Sequence, residues 1–166
     1  ISVVIPTFNR EKHLKNCLSS LLIQTKKPHE ILIIDNSDNY YAKKVVNIFE
    51  EQFKLQNISL YYFKNSINSG AIARNLGVSK AKGDLIAFLD DDVLLDSNYY
   101  EEIEKVFLKY PDALGVHGYN KLINEAYQKM KNSFSESLLD KFMKFFMISS
   151  YYEESKSRVL PSLCVT

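Results

Sequence analysis

The sequence contains no tryptophan, two cysteines and almost no net charge, a formal +1 from 21 basic and 20 acidic residues. Each shortage excludes something. A balanced charge sets up no overall field toward nucleic acid or an anionic membrane, so selectivity must reside in local sites. Cys17 and Cys164 lie far apart and match no metal-ligand spacing. They argue against a disulfide framework and read as core or near-core thiols in a reducing compartment. No apolar run reaches the about 18 residues that span a bilayer, and no basic-apolar-small leader opens the chain, so the expected location is cytoplasmic. The five glycines and four prolines mark no clear linker, and there is no internal repeat or low-complexity tract.

What is present is a 46% hydrophobic chain of 166 residues. That suits one globular domain able to bury roughly two-thirds of its unfolded surface. The chain opens at Ile1 directly in a strand-like run and stops at "LPSLCVT", which resembles the middle of a fold, so an excerpt of a longer protein is expected.

"ISVVIP" is a short β-branched run closed by a proline, a buried strand and its exit. In "NREKHLKNCLSSLLIQT", Leu14, Cys17, Leu18, Leu21 and Leu22 recur at helical spacing. The pattern repeats with strand "HEILIIDNS" and helix "YYAKKVVNIFEEQF", then strand "ISLYYFKN" and a helix starting after Ser69-Gly70, then strand "DLIAFLDDD". Strict alternation predicts an α/β fold, a Rossmann-like, mostly parallel sheet flanked by helices on both faces. Beyond Asp96, "SNYYEEIEKVFLKYP" predicts a helix capped near Ser97, "ALGVHGYN" could be a strand, and residues 121–158 have helical periodicity.

Open parallel sheets bind ligands at the carboxyl ends of their strands. The residues there are Thr7 and Asn9, then Asp35 and Asn36, then Asp90, Asp91 and Asp92. A single polar residue after a strand is ordinarily a turn former, but three clusters on one edge ask for more. Three adjacent aspartates repel one another unless a positive group sits beside them. In an extended segment Asp90 and Asp92 would converge, with Cα atoms roughly 6.5–7 Å apart, while Asp91 faces elsewhere. Such a pair suits Mg²⁺ or Mn²⁺, which takes one or two carboxylates and completes its shell with water and phosphate, implying a nucleoside diphosphate. A helix cap is the plainer reading. Asp35 is placed to accept a base N–H, and Arg74, one turn into a helix, could face phosphate or base or form an ordinary surface ion pair.

"ISVVIPTFNR", "LSSLLIQTKKPHEILIIDNS" and "NSGAIARNLGVSKAKGDLIAFLDDD" together resemble the nucleotide-binding half of a family 2 glycosyltransferase, which has the A-type glycosyltransferase fold. The likeness runs from Ile1 to about Asp96. It implies that Pro6, Thr7 and Asn9 line the nucleoside pocket, that Asp35 contacts a uracil-type base, and that Asn68, Gly70 and Arg74 lie near base and phosphates. It further implies that Asp90 reaches the ribose or metal and Asp92 the metal, with Asp91 able to share that role. The family's "DNGSxD" loop is "DNSDNY" here, without the glycine.

The resemblance implies sugar transfer from a nucleotide-diphosphate sugar, a UDP-sugar first, to an acceptor hydroxyl on a glycan or lipid by metal-assisted inverting displacement. No general base is evident. Glu153-Glu154 is an acidic pair in a Tyr- and Lys-rich stretch, and the family's "GGFDE"-like segment is missing, so the base is expected beyond Thr166. Residues 1–118 are expected to form the donor core and 119–166 a helical, aromatic-rich extension. Within it, "SLLDKFMKFFMISSYY" could lie on a membrane surface or, as such stripes more often do, pack on protein. His13, His29 and His117 share no spacing and read as structural. A sugar nucleotidyltransferase would carry a glycine-rich phosphate loop, which "PTFNREKH" lacks. A response-regulator-like domain would carry its acidic pair after the first strand. A non-catalytic nucleotide-sugar binding module remains the alternative to an enzyme.

Overall fold

The computed structural model describes residues 1–116 and 118. Four strands alternate with four helices: β1 Ser2–Thr7, α1 Glu11–Leu22, β2 Glu30–Asp35, α2 Tyr41–Leu55, β3 Ser59–Lys64, α3 Gly70–Lys80, β4 Ile86–Phe88 and α4 Tyr99–Lys109. The sheet is parallel throughout, in the order β3-β2-β1-β4. Thus the predicted α/β architecture is the one observed. None of the described helices is long and apolar enough to cross a membrane.

The two central strands are buried on both faces, which is why they read as unbroken apolar runs rather than alternating ones. Val3, Ile5, Ile31 and Ile33 point into the larger core with Leu14, Cys17, Leu18 and Leu21 of α1 and Val45, Phe49 and Phe53 of α2. Their neighbours Val4, Leu32 and Ile34 point the other way, onto Ala73 of α3. Right-handed crossovers explain this split. The chain steps from β1 to β2 to β3 in one direction, placing α1 and α2 together on one face, then returns past β1 to β4 and leaves α3 on the other. Helix α3 starts at Gly70, one residue earlier than the sequence suggests, with Ser69 as its cap, the hydroxyl accepting from the Ile72 N–H at 3.4 Å.

Pro6 sits in a central strand without breaking it. The Ser2 N–H donates to Leu85 and the Val4 carbonyl accepts from Leu89, so even-numbered residues of β1 direct their backbone groups toward β4. Regular β4 pairing ends at Phe88, opposite Val4, so Pro6 lies beyond the last registered pair and its missing N–H removes no bond of that ladder.

Three local expectations differ. Strand β4 spans three residues, because the chain turns at the aspartates: the Val93 N–H donates to the Asp90 carbonyl at 3.2 Å. Helix α4 is preceded by Asn98 rather than Ser97, with no side-chain cap; the Tyr99 N–H is instead satisfied by the Asp96 carbonyl at 3.0 Å. Ala113 to Val116 form no strand; the rest of "ALGVHGYN", except Gly118, lies outside the described residues. So do the 119–166 extension with its "SLLDKFMKFFMISSYY" stripe, His117, Glu153-Glu154 and Cys164.

Candidate functional site

The strand order reverses between β1 and β4, and a crevice opens at the carboxyl end of a sheet where neighbouring strands send their chains in opposite directions. Thr7, Arg10 and the three aspartates meet at that point. The Thr7 hydroxyl donates to Asp91 at 2.7 Å, and Arg10 Nη1 reaches Asp91 at 3.3 Å and Asp92 at 2.8 Å. Arg74, coming from α3 on the opposite face, donates to Asp90 at 2.5 Å. Among the described residues, two arginines bring positive charge to the aspartate row.

The pairing of the aspartates departs from strand alternation. Asp91 and Asp92 share Arg10 while Asp90 goes to Arg74, because the chain leaves the extended conformation at Asp90 and two-residue periodicity no longer applies. Asp91 is buried and tied to two donors. Asp92 is 46% exposed and Asp90 30% exposed, each held by one arginine. No group of three or more His, Cys, Asp or Glu residues forms a metal cage among the described residues. A Mg²⁺ or Mn²⁺ that shares its shell with phosphate needs only one or two carboxylates, and Asp90 and Asp92 are the two partly exposed ones of the row.

Arg10 has no role in the sequence reading, where it lies within the polar start of the first helix. The available signal was its position: a cation just after β1, on the edge that carries the acidic row. Asp91, and secondarily Asp92, push its guanidinium above its already high range, so it is a permanent cation here. Beneath the aspartates, Cys17 donates its thiol to the Asp90 carbonyl at 3.7 Å. Burial pushes this thiol up, and Asp91, Asp92 and Asp90 add in the same direction, so Cys17 is a protonated core group as expected.

Across the sheet, Asp35 is fully buried. One carboxylate oxygen accepts the Ser37 N–H at 2.9 Å; the other accepts the Tyr62 hydroxyl at 2.8 Å and faces Lys64 Nζ at 3.7 Å. Burial and the bond to Asp35 push the Tyr62 phenol up, which keeps it a donor. A ligand that touched Asp35 would have to displace one of these cover residues. The loops after β1 and β2 are tied together: the Asn9 N–H donates to Ser37 Oγ at 2.8 Å, and Asn39 Nδ2 donates to Asn9 Oδ1 at 2.6 Å. Asn9 carries the strain of this arrangement, with φ of 53°, a conformation asparagine tolerates. No residue of "DNSDNY" has positive φ, so the missing glycine is not required there. Asn65 Nδ2 extends the chain of contacts, donating to Asn36 Oδ1 at 2.7 Å.

Asn68 and Gly70 are exposed at the start of α3. Gly70 leaves room for Arg74 to lie back over the first turn, since a β-carbon at Gly70 would stand 3.1 Å from Arg74 Nη1. Pro6, Thr7, Asn9, Asp35, Arg74 and Asp90 to Asp92 thus share one sheet edge, with Asn68 and Gly70 on its α3 side.

A family model described as glycosyl transferase family 2 matches residues 2–159. The chain belongs to glycosyltransferase family 2. It is 28% identical over 156 residues to glycosyltransferase GlyA of Streptococcus pneumoniae, an alignment covering 93% of this chain but 20% of that protein. In structure it resembles S. aureus TarS 1-349 in complex with UDP-GlcNAc, with TM-score 0.57 and 23% identity over 72% of this chain and 35% of that one. It also resembles the mannosyltransferase PcManGT from Pyrobaculum calidifontis in complex with GDP-Man and Mn²⁺, with TM-score 0.62 and 18% identity over the same shares. At those identities the structural likeness is one of fold. The sheet is that of the A-type glycosyltransferase fold, and the chain spans about a fifth of the length of its curated relative GlyA.

Proposed function

We propose that the edge built by Thr7, Arg10, Arg74 and Asp90 to Asp92 receives the diphosphate of a nucleotide sugar, a UDP-sugar first, for transfer to an acceptor hydroxyl on a glycan or lipid with inversion. The observation that carries this reading is the meeting of two arginines with three aspartates at the switch point of the sheet. A UDP-GlcNAc complex of one structural neighbour and a GDP-Man and Mn²⁺ complex of another support the ligand class.

Asp90 and Asp92 would hold a divalent cation together with the diphosphate. When bound, it supplies Lewis-acid stabilisation of the charge that builds on the leaving diphosphate. Arg74 and Arg10 present guanidinium forks suited to phosphate oxygens from opposite sides of the row. Asp91 is buried and holds the turn, while Asp35 would meet the base only once Tyr62 or Lys64 moved aside. The described carboxylates of the site are already engaged by arginine, tyrosine and threonine, so we assign the general base to an acidic residue outside them, downstream in the chain. Cytoplasmic action, peripheral to a membrane if the acceptor is lipid-linked, goes with this reading.

The test is calorimetric titration of UDP with Mn²⁺, then with chelator, on the wild-type chain and Asp92→Ala. Binding that requires both the metal and Asp92 is expected. Failure of UDP, GDP and other nucleoside diphosphates to bind with metal present overturns the donor-site reading. Robust sugar transfer by residues 1–166 alone overturns the assignment of the base to a residue beyond Thr166.

A further inference from the structure

Among the described residues, every carboxylate of the aspartate row already has a counter-charge from the chain itself. Asp90 has Arg74, and Asp91 and Asp92 share a single nitrogen of Arg10. These contacts differ in kind. The contact to Asp91 is long, at 3.3 Å, and redundant, since Thr7 holds Asp91 at 2.7 Å. The contact to Asp92 is short, at 2.8 Å, and is the one hydrogen bond on that carboxylate among the described residues. Arg10 is 52% exposed and Asp92 46% exposed, so the pair lies in solvent where it can open at little cost.

Arg10 therefore occupies the position that a cation bound to Asp92 would need. A cation arriving alone must break the Arg10–Asp92 bond and then sit beside an unneutralised guanidinium. A cation arriving with a diphosphate meets neither penalty in full, because the displaced guanidinium gains phosphate oxygens as partners.

We infer that Arg10 is a resident counter-ion of the donor site, which holds Asp92 while the site is empty and moves to the diphosphate when donor and cation bind together. This rests on the donor-site reading above. Its consequence is coupling: Arg10 weakens the binding of cation alone and strengthens the binding of nucleotide with cation, so each ligand raises the affinity for the other. Arg10 is a positioning and binding residue in this role, since nothing places it at the reacting carbon.

Two binding constants test this without any measurement of sugar transfer. Mn²⁺ alone is titrated by the loss of its free-ion electron paramagnetic resonance signal, and UDP is titrated calorimetrically at saturating Mn²⁺. Both are done for the wild type, Arg10→Gln and Arg10→Lys, with a thermal melt of each. Arg10→Gln is expected to bind Mn²⁺ alone about twofold to fivefold more tightly, the scale of an exposed ion pair. The same variant is expected to bind UDP with Mn²⁺ about tenfold more weakly, the scale of a lost charge-assisted bond to phosphate. Arg10→Lys keeps the charge without the fork and should hold the wild-type weakness for Mn²⁺ alone while recovering part of the UDP affinity. Opposite signs for the two ligands are the signature; a general loosening of the loop weakens both. The inference is overturned if Arg10→Gln leaves Mn²⁺ binding unchanged or weakened, or leaves UDP binding unchanged. If the wild type takes up no nucleoside diphosphate with Mn²⁺, the donor-site reading falls first and takes this inference with it.

Discussion

The Thr7 hydroxyl and the Asp91 carboxylate, 84 positions apart in the chain, are joined by a 2.7 Å hydrogen bond across the switch point of the sheet. The bond ties the end of β1 to the turn after β4, and so sets where the aspartate row stands. Asp91 is 5% exposed in its side chain, and its other partner, Arg10, is longer and half in solvent. Thr7→Val keeps the shape but leaves Asp91 short of a donor. We expect a loss of about 1–3 kcal/mol in urea denaturation, the cost of an unmet buried acceptor. An unchanged midpoint would show that Arg10 alone satisfies Asp91.

Glu30 anchors the opposite edge of the sheet. It is buried, accepts from Ser2 Oγ at 2.7 Å and from the Lys82 N–H at 2.6 Å, and meets the Gly83 N–H through Ser2. Burial alone would push its carboxyl up, but the Ser2 and Lys82 donors outweigh it and hold the carboxyl below its ordinary value of 4.5. A depressed folded-state value means the stabilisation is complete above 4.5 and is lost as pH falls toward the lower, folded value. Glu30→Gln should therefore be less stable than wild type at neutral pH, with the gap narrowing on acidification below 4.5. Denaturant midpoints between pH 7 and pH 3 measure it; a gap independent of pH would show that the charge of Glu30 contributes nothing.

Gly77 of α3 packs directly on Val4 of β1, and a β-carbon there would fall well inside contact distance of the γ-carbons of Val4. Alanine in a helix interior is ordinarily favoured over glycine by about 1 kcal/mol. Here forced overpacking costs about 1–3 kcal/mol and outweighs that gain. Gly77→Ala should lower the melting temperature, and Val4→Ala should cost less in the Gly77→Ala background than alone. Additive effects in that cycle would place the strain elsewhere.

The strands and helices were legible because their signals are local. Unbroken apolar runs such as "ILIID" and the three-and-four spacing of Leu14, Cys17, Leu18 and Leu21 follow from burial on two faces and on one stripe. So was the edge that carries the site, since parallel strands bring all their carboxyl ends to one side. Less legible was the path of "LDDD". Alternation holds only while the backbone is extended, and the turn closed by Val93 ends that at Asp90. Arg10 was illegible for a different reason: a half-exposed arginine beside a helix start looks like any surface cation until its partners, more than 80 positions away, are placed.

The sequence by itself determined the alternation of strand and helix, the parallel sheet, the family motifs and the set of polar residues at strand ends, because each depends on neighbours within a few positions. Only the tertiary structure decided that β4 returns to the far side of β1, that α3 crosses to the other face, and that Arg10 and Arg74 close on the aspartates from two directions. Strand order is set by which long-range pairing buries the most surface without unpaired backbone, and no local pattern encodes it. Charge pairing follows from that order, since ionic contacts act only between groups the fold has already brought together.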